Sequence, residues 1–279
     1  MGILYVVATP IGNLEDITLR ALRVLRSVAL IAAEDTRAAR KLLAKYEIET
    51  PVTSYFEHNK LTKLDYILGT LQEKDVAIIA EAGTPGISDP GFELIRAAIE
   101  KGIQVVPVPG PSAVIAALSI SGLPTDQFVY VGFLPRKRGE RRRALQLLAA
   151  EPRTIVAFEA PHRLVESLED IKEVLGDRRV AVIRELTKIH EETLRTSVAQ
   201  AIGHFVVHPP RGEFTLVIAG AGKERARLEA DEIEDRLRRL RSAGCSSREA
   251  IAQVAREAGM PRREVYRLWV DIKEASRRA

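Results

Sequence analysis

The chain lacks most of what disulfide scaffolds, metal knuckles and membrane proteins are built from. Its one cysteine, Cys245, excludes an internal disulfide and a cysteine-based zinc site, and suits a reducing cytoplasm. No apolar run approaches the ~20 residues of a membrane span. The first residues, Met1-Gly2-Ile3-Leu4-Tyr5, carry no basic leader and enter a strand pattern at once, so no signal peptide is expected. A Gly-x-x-x-x-Gly-Lys-Ser/Thr loop is missing, which argues against P-loop nucleotide chemistry. No Gly-x-Gly-x-x-Gly follows the first strand and no Gly-x-Ser-x-Gly occurs, against a Rossmann dinucleotide site and a hydrolase elbow. His58, His162, His190, His204 and His208 form no metal box, and His204 and His208, four apart, lack the glutamate of a zincin motif. No metal is expected.

What is present is apolar and alternating. At 279 residues and 46% hydrophobic, the chain can hold two domains with real cores. Basic and acidic residues balance from Met1 to Gly222, so the whole +4 formal charge sits in 223–279. A neutral body with a basic appendage points to an anionic partner at the appendage; a solvated helical surface is the plainer reading.

Short apolar runs at 4–8, 28–33, 52–56, 76–80 and 105–108 read as strands, with helical spacing between them. Strands apolar throughout and alternating with helices predict a doubly wound parallel sheet in an α/β domain. The break at Ser121-Gly122-Leu123-Pro124 marks a boundary. A second α/β domain of mixed sheet is expected from runs at 128–133, 154–158, 180–183, 190–196 and 214–219. The expected domains are 1–122, 123–222 and a basic helical tail, 223–279. In the tail, Ile233, Leu237 and Leu240 mark one helix. Ile251, Val254 and Ala255 mark a second, opened by a cap-like Ser246-Ser247-Arg248-Glu249. Val265, Leu268 and Trp269 face inward on a third. The spacing fits a helix-turn-helix, with Arg262, Arg263 and Arg267 outward; an αα-hairpin that only packs on the body is the alternative.

Function concentrates at the strand ends. Residues 81–91, EAGTPGISDPG, form a strand-to-helix loop rich in Gly and Pro, placed where ligands bind open α/β sheets. Similar polar loops occupy 9–13, 34–37, 57–59, 109–113, 159–163 and 184–188. Two halves of such loops suggest a cleft between domains. Their contents suit a ligand with an amino-acid end, a ribose and a base, and offer little as a covalent nucleophile.

Together these segments resemble the tetrapyrrole-methylase-like class of S-adenosylmethionine methyltransferases, and within it the bacterial small-subunit rRNA (cytidine-2′-O)-methyltransferases. The resemblance rests on LYVVATPIGNLEDITLRAL at 4–22, AEDTR at 33–37, EAGTPGISDPG at 81–91 and VPVPGPSA at 106–113. It continues through SGLPTDQF at 121–128, VGFLP at 131–135, FEAPHRL at 158–164, RELTK at 184–188 and RGEFTL at 211–216. It implies a two-domain tetrapyrrole-methylase-like fold, a cytoplasmic homodimer, and S-adenosylmethionine in the inter-domain cleft. It also implies methylation of a cytidine ribose near the decoding centre of small-subunit rRNA, within a 30S-like subunit. Porphyrin methylases of the class carry Gly-Asp-Pro where this chain has Gly83-Thr84-Pro85.

On this reading Pro10, Gly83, Thr84, Pro85, Ser88, Asp89, Ser112, Ala113, Phe158 and Phe214 are the cofactor-binding candidates. Glu81, Glu185 and His58 are the candidate bases for the ribose hydroxyl, each equally able to bind ribose instead. Arg136, Lys137, Arg138, Arg141, Arg142, Arg262, Arg263 and Arg267 are expected on rRNA phosphates. Two other readings stay open: a tetrapyrrole methylase that works without the tail, and a nucleic-acid-binding regulator that has lost catalysis.

Overall fold

The computed structural model describes residues 1–55, 60–88, 91–221, 230–242, 245–258 and 262–278. Its first elements are β1 (Ile3–Val7), α1 (Leu19–Ser27), β2 (Leu30–Ala33), α2 (Thr36–Lys45) and β3 (Val52–Ser54). Next come α3 (Lys60–Thr70), β4 (Val76–Ile79), α4 (Gly91–Glu100), β5 (Gln104–Val108) and α5 (Ala113–Ile120). Then follow β6 (Phe128–Phe133), α6 (Arg138–Leu147), β7 (Thr154–Glu159), α7 (Leu164–Leu175), β8 (Arg179–Arg184), β9 (Glu192–Ser197), α8 (Val198–Val207) and β10 (Phe214–Ile218). The last are α9 (Ala230–Ser242), α10 (Ser247–Ala258) and α11 (Arg262–Arg278).

Two expected strands start later than their apolar runs. Val28 ends α1, its N–H bonded to the Val24 carbonyl, so β2 begins at Leu30. The run at 190–196 opens in a turn, where the Glu191 N–H meets the Lys188 carbonyl at 3.1 Å, and β9 begins at Glu192.

β1 to β5 form a parallel sheet in the order β3-β2-β4-β1-β5. Its alternating side chains fill two cores. Leu30, Ala32, Val76 and Ile78 pack with Ile67 of α3, Leu71 just beyond it and Leu94 of α4. Ile31, Ala33, Ala77 and Ile79 pack with Ala21, Leu25 and Leu42 of α1 and α2. Burial on both faces is why these strands read as unbroken apolar runs. Each fully buried Leu or Ile stabilises by roughly 1.5–3 kcal/mol relative to exposure. α2 starts where Asp35 accepts the Arg37 and Ala38 N–H groups at 2.6 and 3.1 Å. Those N–H bonds, Ala38 first, hold the Asp35 carboxyl below the usual aspartate range.

The second sheet is mixed, in the order β6-β7-β10-β8-β9. β6 and β7 are parallel, and β10 runs antiparallel to both β7 and β8. One face carries Ile155, Ala157, Val180, Val182 and Leu216 against α6, α7 and α8. The other carries Val156, Ala181, Ile183 and Val217 against Val114, Ala117 and Leu118 of α5. α5 thus precedes the expected boundary at 122 in sequence but is seated by the second sheet.

The chain divides into two compact units, Met1–Ala149 with Arg153–Ala219, and Ala150–Pro152 with Gly220–Ala279. The second contains α9, α10 and α11 around Ile233, Leu237, Ile251, Val254 and Val265, with Leu240, Leu268 and Trp269 at the margin. Ser246 and Glu249 cap α10 reciprocally: the Ser246 hydroxyl accepts the Glu249 N–H, and Glu249 Oε2 accepts the Ser246 N–H, each at 3.3 Å.

Candidate active site

Sheet order makes the site. β4, β1 and β5 are neighbours, so the loops after them lie side by side at their carboxyl ends. Thr9 and Gly83 bind these loops together, exchanging backbone N–H···O bonds of 2.9 and 3.1 Å. The Thr84 hydroxyl donates to the Pro111 carbonyl at 3.4 Å, joining the third loop. A Cβ on Gly110 would lie 3.0 Å from that of Ala8, so the backbone there passes close over β1. The loop after β2 joins from the other side, where Glu34 Oε2 accepts the Glu81 N–H at 3.1 Å.

Above these loops lies the second sheet, and between them is a cavity of about 630 Å³. Pro10, Gly83, Thr84, Ser88, Ser112 and Ala113 line it from the first-sheet side, together with Glu34 and Glu81. Phe158, Ile183, Leu186 and Phe214 line it from the second. Ser112 stands at the N-cap of α5 without a side-chain capping bond, and Ser112, Ala113 and Val114 line the cavity, which places the N-terminus of the helix on its wall.

Two clusters stiffen the second-sheet side. Glu159, buried at the end of β7, accepts the Ala160 N–H at 2.7 Å, pairs with Arg163 at 2.6 Å and accepts the Ser167 hydroxyl. Glu185 Oε1 accepts the Lys188 ammonium at 3.0 Å and the Glu213 N–H at 2.9 Å. Burial alone would raise the Glu185 carboxyl, but the Glu213 N–H and Lys188 outweigh it and hold it below the usual glutamate range. For Lys188, burial pulls down, and Glu185 and Glu213 more than offset it, so its ammonium is held more firmly than usual. Glu185 and Thr187 take positive φ of 50° and 65°, a strained backbone of the kind that gathers at functional sites. Gly12 packs against this loop: a Cβ there would lie 2.5 Å from Lys188 Cγ.

The candidate residues are therefore unevenly distributed. Glu81 lines the cavity with its side chain exposed; Glu185 does not line it, and its carboxylate is committed to Lys188 and Glu213. Pro85 is buried and outside the lining. His58 and Asp89 lie outside the described residues. Glu34, Lys41, Phe133, Lys188 and Glu213 line the cavity without having been singled out. For Glu34 and Lys188 the signal was their place in strand-end loops; Phe133 was hidden inside a strand pattern.

The basic cluster needs a correction. Arg141 is 1% exposed, its guanidinium bound to Asp170 at 2.7 Å, so it faces α7 and presents no charge to a phosphate. It also donates to the Arg136 carbonyl at 3.4 Å. Arg136, Lys137 and Arg138 are exposed, with Lys137 paired to Glu140 and Arg138 to Asp170. Arg142 is half-buried against Glu173. In the second unit Arg262, Arg263 and Arg267 are exposed on α11, the helix that buries Val265. Among the described residues no helix is long and apolar enough to cross a membrane, and no group of His, Cys, Asp and Glu could hold a metal.

Comparison with known proteins matches residues 3–202 to the family model of tetrapyrrole (corrin/porphyrin) methylases. A ribosomal RNA small subunit methyltransferase I from Synechocystis sp. is 49% identical over 276 residues, covering 98% of this chain and 99% of its own. A protein of the same name from Thermotoga maritima is 51% identical over 221 residues, 79% of this chain and 99% of its own. Among solved structures, uroporphyrin-III C-methyltransferase from Thermus thermophilus, complexed with S-adenosylhomocysteine, aligns with a TM-score of 0.56 at 19% identity. It covers 80% of this chain and 98% of its own. Diphthine synthase aligns with a TM-score of 0.59 at 14% identity over 78% of this chain and 90% of its own. These two likenesses concern the fold.

Proposed function

The chain belongs to the tetrapyrrole (corrin/porphyrin) methylase family, and we propose that it is the S-adenosylmethionine-dependent methyltransferase that modifies a cytidine ribose 2′-hydroxyl of small-subunit rRNA near the decoding centre. The observation that carries this reading is the cavity roofed by the second sheet, in a chain about half identical to relatives named for rRNA methylation.

The residues present fit the cofactor. A cavity of about 630 Å³ lies within the usual range for small-molecule sites, and both of its walls mix polar with apolar residues. The Ser112 hydroxyl and the N-terminus of α5 suit a carboxylate. Gly83 and Thr84 bring backbone close to the ligand, with Pro10, Pro85 and Ser88 in the same two loops. Phe158 and Phe214 supply a flat apolar wall for a purine. S-adenosylmethionine supplies a methyl already activated on a sulfonium, so the protein's task is alignment and proton removal.

Glu81 is the proton acceptor for the ribose hydroxyl. Of the two described candidates, Glu81 and Glu185, it is Glu81 that lines the cavity, with its side chain exposed, and such a base contributes about 10²–10⁴-fold. Glu185 acts as a brace for the 184–188 and 211–214 loops, since its lowered pKa makes it the poorer base. Arg136, Lys137 and Arg138 hold rRNA phosphates beside the body, and Arg262, Arg263 and Arg267 do so from the tail. The tail, 223–279, is an accessory to domains 1–122 and 123–222. The Thermotoga relative, matched over 99% of its own length, leaves about a fifth of this chain uncovered. The protein works in the cytoplasm as a homodimer, on rRNA within a 30S-like subunit.

The test is labelled S-adenosylmethionine with small subunits from cells lacking this modification. Label in an alkali-resistant dinucleotide supports the reading; cofactor binding with no label in rRNA refutes it. A tetrapyrrole substrate would instead accept label from a protein truncated after Gly222.

A further inference from the structure

One aromatic ring on the cavity is turned toward solvent. β6 pairs with β7 in regular register from Phe128 to Tyr130, then slips before Phe133 meets Phe158. Gly132 sits in that irregularity with φ +67°, a conformation L side chains rarely adopt. Bulges of this kind re-aim a side chain, often beside an active site. Here the re-aimed residue is Phe133. It lines the cavity and yet is 57% exposed.

Leaving a phenylalanine half in water forfeits stabilisation that a polar residue at a strand end would not need. The ring is nevertheless held in place. It meets Phe158 edge-on, centroids 5.4 Å apart, and Phe158 in turn meets Tyr130 at 5.3 Å. The Tyr130 hydroxyl and the Ser88 hydroxyl are 2.7 Å apart, and a Cβ on Gly132 would lie 3.1 Å from Ser88 Oγ. Ile87, next to Ser88, also lines the cavity and is 51% exposed. The rim therefore presents two apolar side chains on a braced support. Three residues beyond Phe133 begin the exposed cations Arg136, Lys137 and Arg138.

We propose that Phe133 is the platform on which the base of the target nucleotide stacks, with Arg136 to Arg138 holding the neighbouring phosphates and the ribose directed into the cavity. This inference rests on the rRNA methyltransferase reading. A ribose directed into a walled cavity is drawn away from its neighbours with its base unstacked, and an exposed ring beside cations is the chemistry that receives an unstacked base. Because every base has a π-face, the ring sets position and leaves the choice of cytidine to other groups.

The experiment uses the full-length protein, unmodified small subunits and labelled cofactor, with Phe133→Ala, Phe133→Leu and Phe133→Trp. Leu keeps apolar bulk without a stacking face and guards against a folding defect in the Ala variant. The expected result is a loss of roughly 10–100-fold in kcat/KM for the subunit with Ala and Leu, and recovery with Trp. Affinity for S-adenosylhomocysteine, by calorimetry, should stay within about twofold of wild type. A parallel fall in cofactor affinity would assign the ring to the cofactor and overturn the proposal. So would unchanged rates in Ala and Leu, or no recovery in Trp. If the wild-type protein fails to label rRNA, the function itself is wrong and this inference goes with it.

Discussion

Thr9 and Gly83 exchange two backbone hydrogen bonds across the carboxyl ends of β1 and β4, 2.9 and 3.1 Å long. The pair lets two Gly/Pro-rich loops act as one wall of the cavity. Gly83 holds φ +81°, where a Cβ is strained even though the nearest side-chain atom would be 3.5 Å away. Gly83→Ala is expected to cost about 1–2 kcal/mol in stability from backbone strain. It should also weaken S-adenosylhomocysteine binding more than Gly102→Ala, a control at φ +71° in a turn outside the cavity lining. Urea denaturation and calorimetry on both variants check this; equal cofactor affinity in the two would remove Gly83 from the site.

Glu185 gives the fold a pH-dependent component. Its carboxyl is held low because the Glu213 N–H and the Lys188 ammonium outweigh burial. A depressed folded-state pKa means that its contribution is complete above the unfolded value, about 4.3 for glutamate, and is lost as pH falls through the lower folded value. The stability difference between wild type and Glu185→Gln should thus be constant above about pH 5 and shrink below it. Urea titrations at several pH values measure it. A difference that grows toward acid would contradict the brace.

Arg141 and Arg136 should behave oppositely although both stand in one basic cluster. Arg141→Ala leaves the buried Asp170, 1% exposed, with Arg138 as its remaining ion-pair partner, and is expected to cost about 3 kcal/mol. Arg136→Ala should leave stability within about 0.5 kcal/mol, weaken rRNA binding, and lower the salt slope of binding by roughly one ion. Thermal melts and filter binding across a salt series separate the two.

Much of this was legible in the sequence because the signals were local. Buried strands such as 76–79 announce themselves as apolar runs, and the loops after them as clusters of Gly, Pro and acids. What stayed hidden depends on partners distant in the chain. Nothing near Arg141 tells that Asp170 will bury it. Glu185 reads as a free loop carboxylate until Glu213 arrives beside it, with Gly212 at φ +81° passing so near that a Cβ would lie 2.5 Å from its side chain. The helical pattern of α5 is plain, but its seat on Val156, Ala181 and Val217 is a matter of topology. Phe133 fits a strand pattern, and only the slip in pairing at Gly132 turns it to the rim.

The central claim is tested most directly by mass spectrometry of small-subunit rRNA after incubating unmodified subunits with the purified protein and S-adenosylmethionine, wild type beside Glu81→Gln. The account predicts one cytidine gaining a methyl on its 2′-oxygen, at a rate falling about 10²–10⁴-fold in the variant while cofactor affinity holds. An unmethylated rRNA with wild-type protein and bound cofactor, or a methyl on a base, would contradict it.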